Sequence, residues 1–356
     1  MRVGIVTKWF NRGQPVVGRY IRSAFEALGH ETFVLAKPRR EKGPKPRALE
    51  RSGIWDQPRV TEASSFATPL SEYLEWARQN SLDLVHCDQN YQFDELAELR
   101  RQGVRVIGRF VWEHFAAEHL EGARKAYDIV YSVTECEQRR YAGWGMETPR
   151  VPWGIHPELL AVPIERPDDG LVRFVFPGGF IGHRKPLEPV VEAFAQTGVA
   201  SLRLLVKAQV ERDRLGAVER LIADDTRITL HLADDPWQQH LRIIAGCDVC
   251  ITPSRWEGLG LPLYEATAFG QPIISNDDPP MNEVVRDGVN GLLVASRPDG
   301  TARSGIAARR LEPAALAATI ERLADPSLRA ELAAGAARQR TELSWDRTIA
   351  ALGALL

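Results

Sequence analysis

The feature that most constrains this chain is a rhythm that it completes twice. Short apolar runs stop at glycine- or proline-bearing loops and alternate with helical stretches, from Arg2 to Gly145 and again from Leu171. "RVGIVT" (Arg2–Thr7) reads as a buried strand. A loop, "KWFNRGQPVVG", follows, and then "RYIRSAFEALGH", whose Ile21, Phe25 and Leu28 share one helical face. Gly29 suits the left-handed residue that ends a helix, and "ETFVLA" is the next strand. Strand, loop, helix, strand is how a parallel α/β sheet begins. The alternation continues through the strand "LDLVHCD", the helix "FDELAELRRQG", the strands "VRVIGRFVW" and "AYDIVYSVT", and the helix "ECEQRRYAGWG".

Thr148 to Gly170 then carries five prolines and an Asp-Asp-Gly turn, which predicts a linker rather than an element. Beyond it the strands "LVRFVFPGG", "LRLLVKA", "RITLHLA" and "DVCITP" alternate with the helices "PLEPVVEAFAQTG", "RDRLGAVERLIA" and "PWQQHLRIIAG". Two βα series in succession predict two doubly wound Rossmann-like domains facing a central cleft, one over residues 1–165 and one over 166–340. A last helix in 341–356, "SWDRTIAALGALL", is expected to pack back on the N-terminal domain.

Composition supports this division and removes several function classes. A chain of 356 residues is long for one core, and 44% hydrophobic with 26% charged residues is the make-up of a globular protein. The formal net charge of −2 provides no global field to draw nucleic acid. No apolar run approaches the roughly 20 residues needed to cross a bilayer. "MRVGIVTKWF" turns polar too soon for a secretory signal. Four cysteines are too few for a disulfide framework, so a cytoplasmic protein is expected. Cys247 and Cys250 form a C-x2-C, but without a second pair they read as small buried hydrophobes rather than metal ligands. "KPRREKGPKPRALER" (Lys37–Arg51) holds seven basic residues against two acidic ones. It reads as a solvated loop whose membrane contact is at most peripheral.

The chemistry gathers in "SRWEGLGLPLYEATAFGQPIISND", which follows the strand "CDVCITP". In open α/β sheets ligands sit beyond the carboxyl ends of strands. Gly258 and Gly260 leave backbone bare where a ligand approaches, and Pro262 suits the first turn of the helix "PLYEATAF". The head of that helix is a seat for phosphate. Glu265, one turn in, is placed to accept both hydroxyls of a vicinal diol, and Glu257 lies beyond the glycines where a second polyol would be held. A diphosphate between two polyols describes a nucleotide sugar. "FPGGFIGHRKPLE" brings Arg184 and Lys185 to a second strand end, where two cations neutralise a diphosphate and ease its departure.

These residues resemble the retaining, nucleotide-sugar-dependent GT-B glycosyltransferases of family 4. The likeness rests on the E-x7-E of "EGLGLPLYEA", on "AFGQPIISND" through "NEVVRDGVNGLLV", on "GGFIGHRKPLEPVVEAF", and on "WGIHPELL" at the expected link between domains. It is strong over Leu171–Val294 and weaker, though collinear, before that.

The resemblance implies that Glu265 holds the ribose and that Gly258, Leu259, Gly260 and Leu261 offer amides to sugar and phosphate. It implies that Glu257 lies by the donor sugar, that Arg184 and Lys185 bind the diphosphate, and that Gly13 approaches the donor from the N-terminal domain. Two positions depart from the family. Phe180 stands where many members have an arginine, and Gly13 is single where a glycine pair is common. The family often has a histidine where this chain reads Trp112-Glu113-His114-Phe115. The likeness does not choose between Glu113 and His114, and both also suit a cap on the next element.

The expected reaction is metal-independent transfer of a hexose-like group, with retention, from a nucleoside-diphosphate sugar to an acceptor hydroxyl of a small molecule, glycan or lipid. No cofactor and no nucleic acid partner are expected. Trp9, Phe10, Tyr91 and Phe93 are candidates for an acceptor pocket, with core packing the simpler assignment. Other readings are a nucleotide-sugar 2-epimerase or sugar phosphorylase on the same fold, and a non-catalytic sugar-binding protein. A nicotinamide oxidoreductase is disfavoured, because no G-x-G-x-x-G follows "RVGIVT".

Overall fold

The computed structural model describes residues 1–38 and 49–356, and the chain divides into two compact units. The first comprises Met1–Trp153 with Trp345–Leu356. Its elements are β1 (Arg2–Thr7), α1 (Gly13–Ala27), β2 (Glu31–Ala36), β3 (Val60–Glu62), α2 (Leu70–Gln79), β4 (Leu84–Asp88), α3 (Phe93–Arg101), β5 (Arg105–Arg109), α4 (Leu120–Ala126), β6 (Ile129–Val130) and α5 (Glu135–Gly143). The strands form one parallel sheet in the order β3-β2-β1-β4-β5-β6. Every residue of β4 is buried, as are the last five of β1. That explains why they read as apolar runs rather than alternating strands: a parallel sheet is covered on both faces.

Helix α1 begins at Gly13, six residues before "RYIRSAFEALGH". Pro15 and Gly18 argue for loop from sequence, but each has a place in the helix. Pro15 sits in the first turn, where its missing N–H costs nothing. Gly18 faces β1 so closely that a Cβ there would lie 2.4 Å from Thr7 Oγ1. Between Ala36 and Leu82 the sequence reading assigns no element, yet β3 and α2 lie there. Tyr73 and Trp76 anchor α2 in the core.

The second unit, Gly154–Ser344, repeats the plan. It contains α6 (Pro157–Leu160), β7 (Val172–Gly179), α7 (Glu188–Gln196), β8 (Leu202–Ala208), α8 (Val218–Ala223), β9 (Ile228–Leu232), α9 (Trp237–Ala245), β10 (Val249–Thr252), α10 (Leu261–Ala268), β11 (Ile273–Asn276), α11 (Met281–Val284) and β12 (Gly291–Val294). An antiparallel hairpin, β13 (Ser296–Thr301) with β14 (Ala307–Leu311), follows, then α12 (Pro313–Arg322) and α13 (Pro326–Glu342). The parallel sheet runs β12-β11-β10-β7-β8-β9. Numbered from its own first strand, this is the strand order of the first unit. Its core joins Phe174, Phe176 and Val206 of the sheet to Phe194 of α7 and Leu316 and Ile320 of α12. The expected helix "RDRLGAVERLIA" is interrupted at Gly216, whose φ of 54° no right-handed helix accommodates.

The boundary falls after Trp153, not at 165. The proline-marked passage is bonded into the second unit: Ile155 N–H donates to Leu343 O (2.7 Å), and Arg166 Nη2 donates to Phe269 O (2.7 Å). The terminal helix Trp345–Gly353 belongs to the first unit. Trp345 packs edge-on against Trp153 and Tyr20, with ring centroids 5.1 and 5.9 Å apart, and Thr348 Oγ1 donates to Pro152 O at 2.7 Å. Among the described residues, no helix is long and apolar enough to cross a membrane. Of the basic segment Lys37–Arg51, residues 39–48 lie outside the described residues. Lys37 itself is buried, and its Nζ donates to Gln92 Oε1 at 2.5 Å.

Candidate functional site

In each sheet the strand order reverses between two central neighbours, β1 and β4 in the first unit and β7 and β10 in the second. The loops leaving such a pair diverge to opposite faces and open a crevice, the usual seat of a ligand in this architecture. In the second unit those two loops are the basic loop after β7 and the glutamate loop after β10. The motifs singled out by sequence therefore meet at one switch point.

The glutamate loop, Pro253 to Gly260, is almost entirely buried. Gly260 caps α10 with a φ of 76°, in the left-handed region that favours glycine, and a Cβ there would lie 2.8 Å from Leu263 Cδ1. The amides of Gly258, Leu259 and Gly260 meet no acceptor among the described residues. Leu261 begins α10, and Pro262 occupies its first turn. A run of open amides at a helix head is an anion seat.

Glu257 is 6% exposed and engaged within the loop itself. Ser254 Oγ donates to its Oε1 at 2.7 Å, Lys185 Nζ lies 3.3 Å from the same oxygen, and Arg184 Nη1 pairs with Oε2. Burial alone would raise its pKa, but the two cations and the Ser254 hydrogen bond hold it below the usual glutamate value. Glu257 thus gathers Arg184 and Lys185 at the mouth of the loop. Lys185 is 8% exposed, and its Nζ also reaches Pro177 O at 3.4 Å.

Glu265 is the opposite case. It is 4% exposed, and its carboxyl has no hydrogen bond or ion pair among the described residues. Burial pushes its pKa up to about 7, and the Lys185 ammonium draws it back only in part. A buried carboxylate without a partner is costly, and hydroxyl donors from a ligand would satisfy it.

The structure adds residues to which the sequence reading gave no individual role. Arg255 is 6% exposed, and its guanidinium reaches the carboxylate of Asp299 in the hairpin (2.7 Å) and Nδ1 of His183 in the basic loop (2.9 Å). Lys207, at the end of β8, is 1% exposed; its Nζ lies 2.7 Å from both Asp235 Oδ2 and Ala233 O. His231 Nε2 lies 2.8 Å from the same Asp235 oxygen, and Gln239 donates to Oδ1 at 2.9 Å. Burial pushes Asp235 up, but Lys207 and His231 hold it below the ordinary aspartate value. A lysine inside the apolar strand "LRLLVKA" is the signal that would have found this cluster, because a buried ammonium requires a partner.

The remaining candidates belong to the first unit. Gly13 is exposed as the first residue of α1, directly beyond the loop after β1. Glu113 and His114 lie in a turn after β5, one strand away from that unit's switch point. Their side chains are 15% and 60% exposed, with His114 Nε2 3.7 Å from Glu113 Oε1. Trp9 and Phe10 are core residues, whereas Tyr91 and Phe93 are half-buried and stack edge-on at 6.0 Å. Cys247 and Cys250 are buried thiols, and burial pushes Cys247 up to about 12.

Comparison with known proteins bears on this geometry. Residues 173–325 match the family described as Glycosyl transferases group 1. A D-inositol 3-phosphate glycosyltransferase of Acidothermus cellulolyticus is 39% identical over 101 residues, which are 28% of this chain and 19% of that protein. The first such curated relatives are matched over only about a fifth of their own length. Similarity to solved structures extends further. Sucrose-phosphate synthase from Thermosynechococcus elongatus superposes with a TM-score of 0.75 at 18% identity, over 99% of this chain and 98% of the other. HepE from Anabaena, solved in complex with UDP and glucose, gives a TM-score of 0.74 at 14% identity, over 100% and 99%. At such identities the likeness fixes the fold, two six-stranded Rossmann-like units of the GT-B type.

Proposed function

We propose, from the premise that residues 173–325 form a glycosyl transferases group 1 domain, that this chain is a retaining glycosyltransferase. It moves a sugar from a nucleoside diphosphate to an acceptor hydroxyl and needs no metal. The observation that carries the reading is the buried, partnerless carboxylate of Glu265, set beside open amides and Lys185 at one switch point.

In this reading Glu265 accepts the two ribose hydroxyls, and the diphosphate lies against the amides of Gly258 to Leu261. Arg184 and Lys185, presented by Glu257, stabilise the negative charge that grows as the sugar–phosphate bond breaks. A preorganised donor of this kind is worth about 10²–10³ in rate. These cations perform the charge neutralisation for which a divalent ion would otherwise serve. Glu257 lies by the sugar. Retention follows from attack on the face the diphosphate leaves, with the leaving phosphate taking the acceptor proton. Glu113 or His114 orients the acceptor. The named ligands of HepE make UDP-glucose the first donor to try, and the curated relatives make a phosphorylated inositol the first acceptor. A cytoplasmic location suits a pool of nucleotide sugars.

The test is nucleoside-diphosphate release from a panel of UDP-, GDP- and ADP-sugars with hydroxyl acceptors, for wild type and Glu265→Ala. The expected result is turnover of one donor by wild type and its loss in the variant, with NMR showing an unchanged anomeric configuration. Equal turnover by both proteins would sink the assignment.

A further inference from the structure

We infer that Arg255, held by the hairpin β13–β14, is a positioning residue that fixes the basic loop Gly182–Lys185, and that the hairpin thereby sets how tightly the switch point grips a diphosphate. The second clause rests on the donor reading above; the first stands on geometry alone.

The basic loop needs an outside anchor. It leaves β7 through Gly178 and Gly179, the latter at a φ of 55°, and passes Gly182, so its own backbone restrains it little. Its internal turn is a single long hydrogen bond, Gly182 N–H to Lys185 O at 3.3 Å. Arg255 supplies the anchor through both main chain and side chain. Its N–H donates to Arg184 O at 2.8 Å, and its guanidinium donates to the carbonyl of His183 at 3.3 Å and to the His183 ring at 2.9 Å. Arg184 and Lys185 are therefore carried by a segment whose two preceding carbonyls are gripped from one residue.

Arg255 is in turn fixed from the other side. Asp299 of β13 pairs with its Nη2 at 2.7 Å and also accepts through its carbonyl. Arg309 of β14 donates its N–H to Arg255 O at 2.9 Å, and its own Nε reaches Asp278, just after β11, at 3.0 Å. The hairpin leaves the edge strand β12, so these contacts span from that edge to the central switch point. A guanidinium that is 6% exposed requires such partners. The Arg255–Asp299 pair is thus the link between hairpin and loop.

Asp299→Ala removes the carboxylate part of that link, from a side chain that is 38% exposed, and leaves the main-chain contacts of Asp299 and Arg309 in place; Arg255→Gln removes the fork itself, and Asp299→Glu is the conservative control. In ligand-free protein, hydrogen exchange of the peptide covering residues 181–186 should accelerate about fivefold in the first two variants, while exchange in β8 stays unchanged. With UDP as probe, the Kd of the folded variants should weaken by about tenfold, measured well below a melting temperature that the loss of a buried guanidinium's partner also lowers. Asp299→Glu should restore both. Unchanged exchange at 181–186 overturns the positioning role, and a UDP affinity unmoved in a protein whose exchange has risen overturns the claim on grip. Failure of wild type to bind UDP, GDP or ADP counts against the donor reading, and the exchange measurement still decides the first clause.

Discussion

The two switch points share one topology and differ in what their loops carry. In the first unit the loops after β1 and β4 are tied to neighbouring elements of that unit, although the Tyr91 hydroxyl is buried without a hydrogen-bond partner among the described residues. Lys8 donates to Gln14 at 2.9 Å, Trp9 Nε1 to Trp55 O at 2.8 Å, and Asn90 to Tyr73 at 2.9 Å. The charge at that edge is an interior ion pair: Asp88 ends β4, Arg109 ends β5, and they meet at 2.8 Å with side chains 0% and 2% exposed. In the second unit the corresponding loops bring two cations to one glutamate and leave a second glutamate without a partner. Strand order gives both units a crevice. The first unit's buried pair joins β4 to β5 and leaves Asp88 Oδ2 and Arg109 Nη1 without hydrogen-bond partners among the described residues, whereas the second unit's buried charge gathers on the two loops at the head of α10.

The largest effect expected from breaking this contrast is in the second unit. Lys185→Ala should lower donor turnover by about 10²–10³ on the proposed reading, in which it binds the diphosphate, and it also removes a partner of Glu257. Steady-state kinetics with the active nucleotide sugar reads it, and a loss below tenfold would mean that the cations are structural. The matching change in the first unit should act on stability instead. Asp88→Ala leaves Arg109 buried without its hydrogen-bonded partner, a loss of about 3 kcal/mol. A lowered melting temperature with near-normal UDP affinity in the folded protein is the expected pair of results. Weakened UDP binding with unchanged melting would reverse the assignment of roles.

A third expectation concerns pH. Glu265 is raised to about 7 from an ordinary value of 4.5, so its ionisation destabilises the ligand-free fold as pH climbs through that window. The stabilising contribution of the protonated form is complete below pH 4.5 and gone above 7. A diol that donates to the carboxylate has the opposite preference. UDP affinity should therefore fall as pH drops below about 7, approaching tenfold per unit, and Glu265→Gln should remove that part of the profile. Calorimetry from pH 5.5 to 8 checks the sign. The smallest effect expected is a gain: Phe180→Arg, at an exposed position of the basic loop, should tighten UDP two- to fivefold at low salt, as one added surface cation does. No change, or a loss, would show that the loop directs residue 180 away from the anion.

Much of this contrast was legible in the sequence, for identifiable reasons. Buried parallel strands must be apolar on both faces, so β1, β7, β8 and β10 announce themselves, and glycine and proline punctuate the loops that carry Glu257, Glu265, Arg184 and Lys185. Other parts depend on contacts distant in sequence. Gly18 and Pro15 read as loop until the approach of Thr7 explains why α1 tolerates the first and needs little from the second. The division after Trp153 depends on Ile155 bonding to Leu343. Glu257 and Glu265 look alike in sequence, and only burial with partners separates the saturated carboxylate from the open one. Arg255 lay inside the most informative motif and drew no attention, because its ion-pair partner stands 44 positions away.

The return of the helix Trp345–Gly353 to the first unit has a consequence for taking the molecule apart. The polypeptide passes from one unit to the other twice, after Trp153 and after Ser344. A gene fragment encoding Gly154–Ser344 would therefore yield a whole lobe, whereas one ending at Trp153 would yield a lobe whose Tyr20 and Trp153 have lost Trp345. To isolate the first lobe, the terminal helix has to be fused by a short spacer behind Trp153.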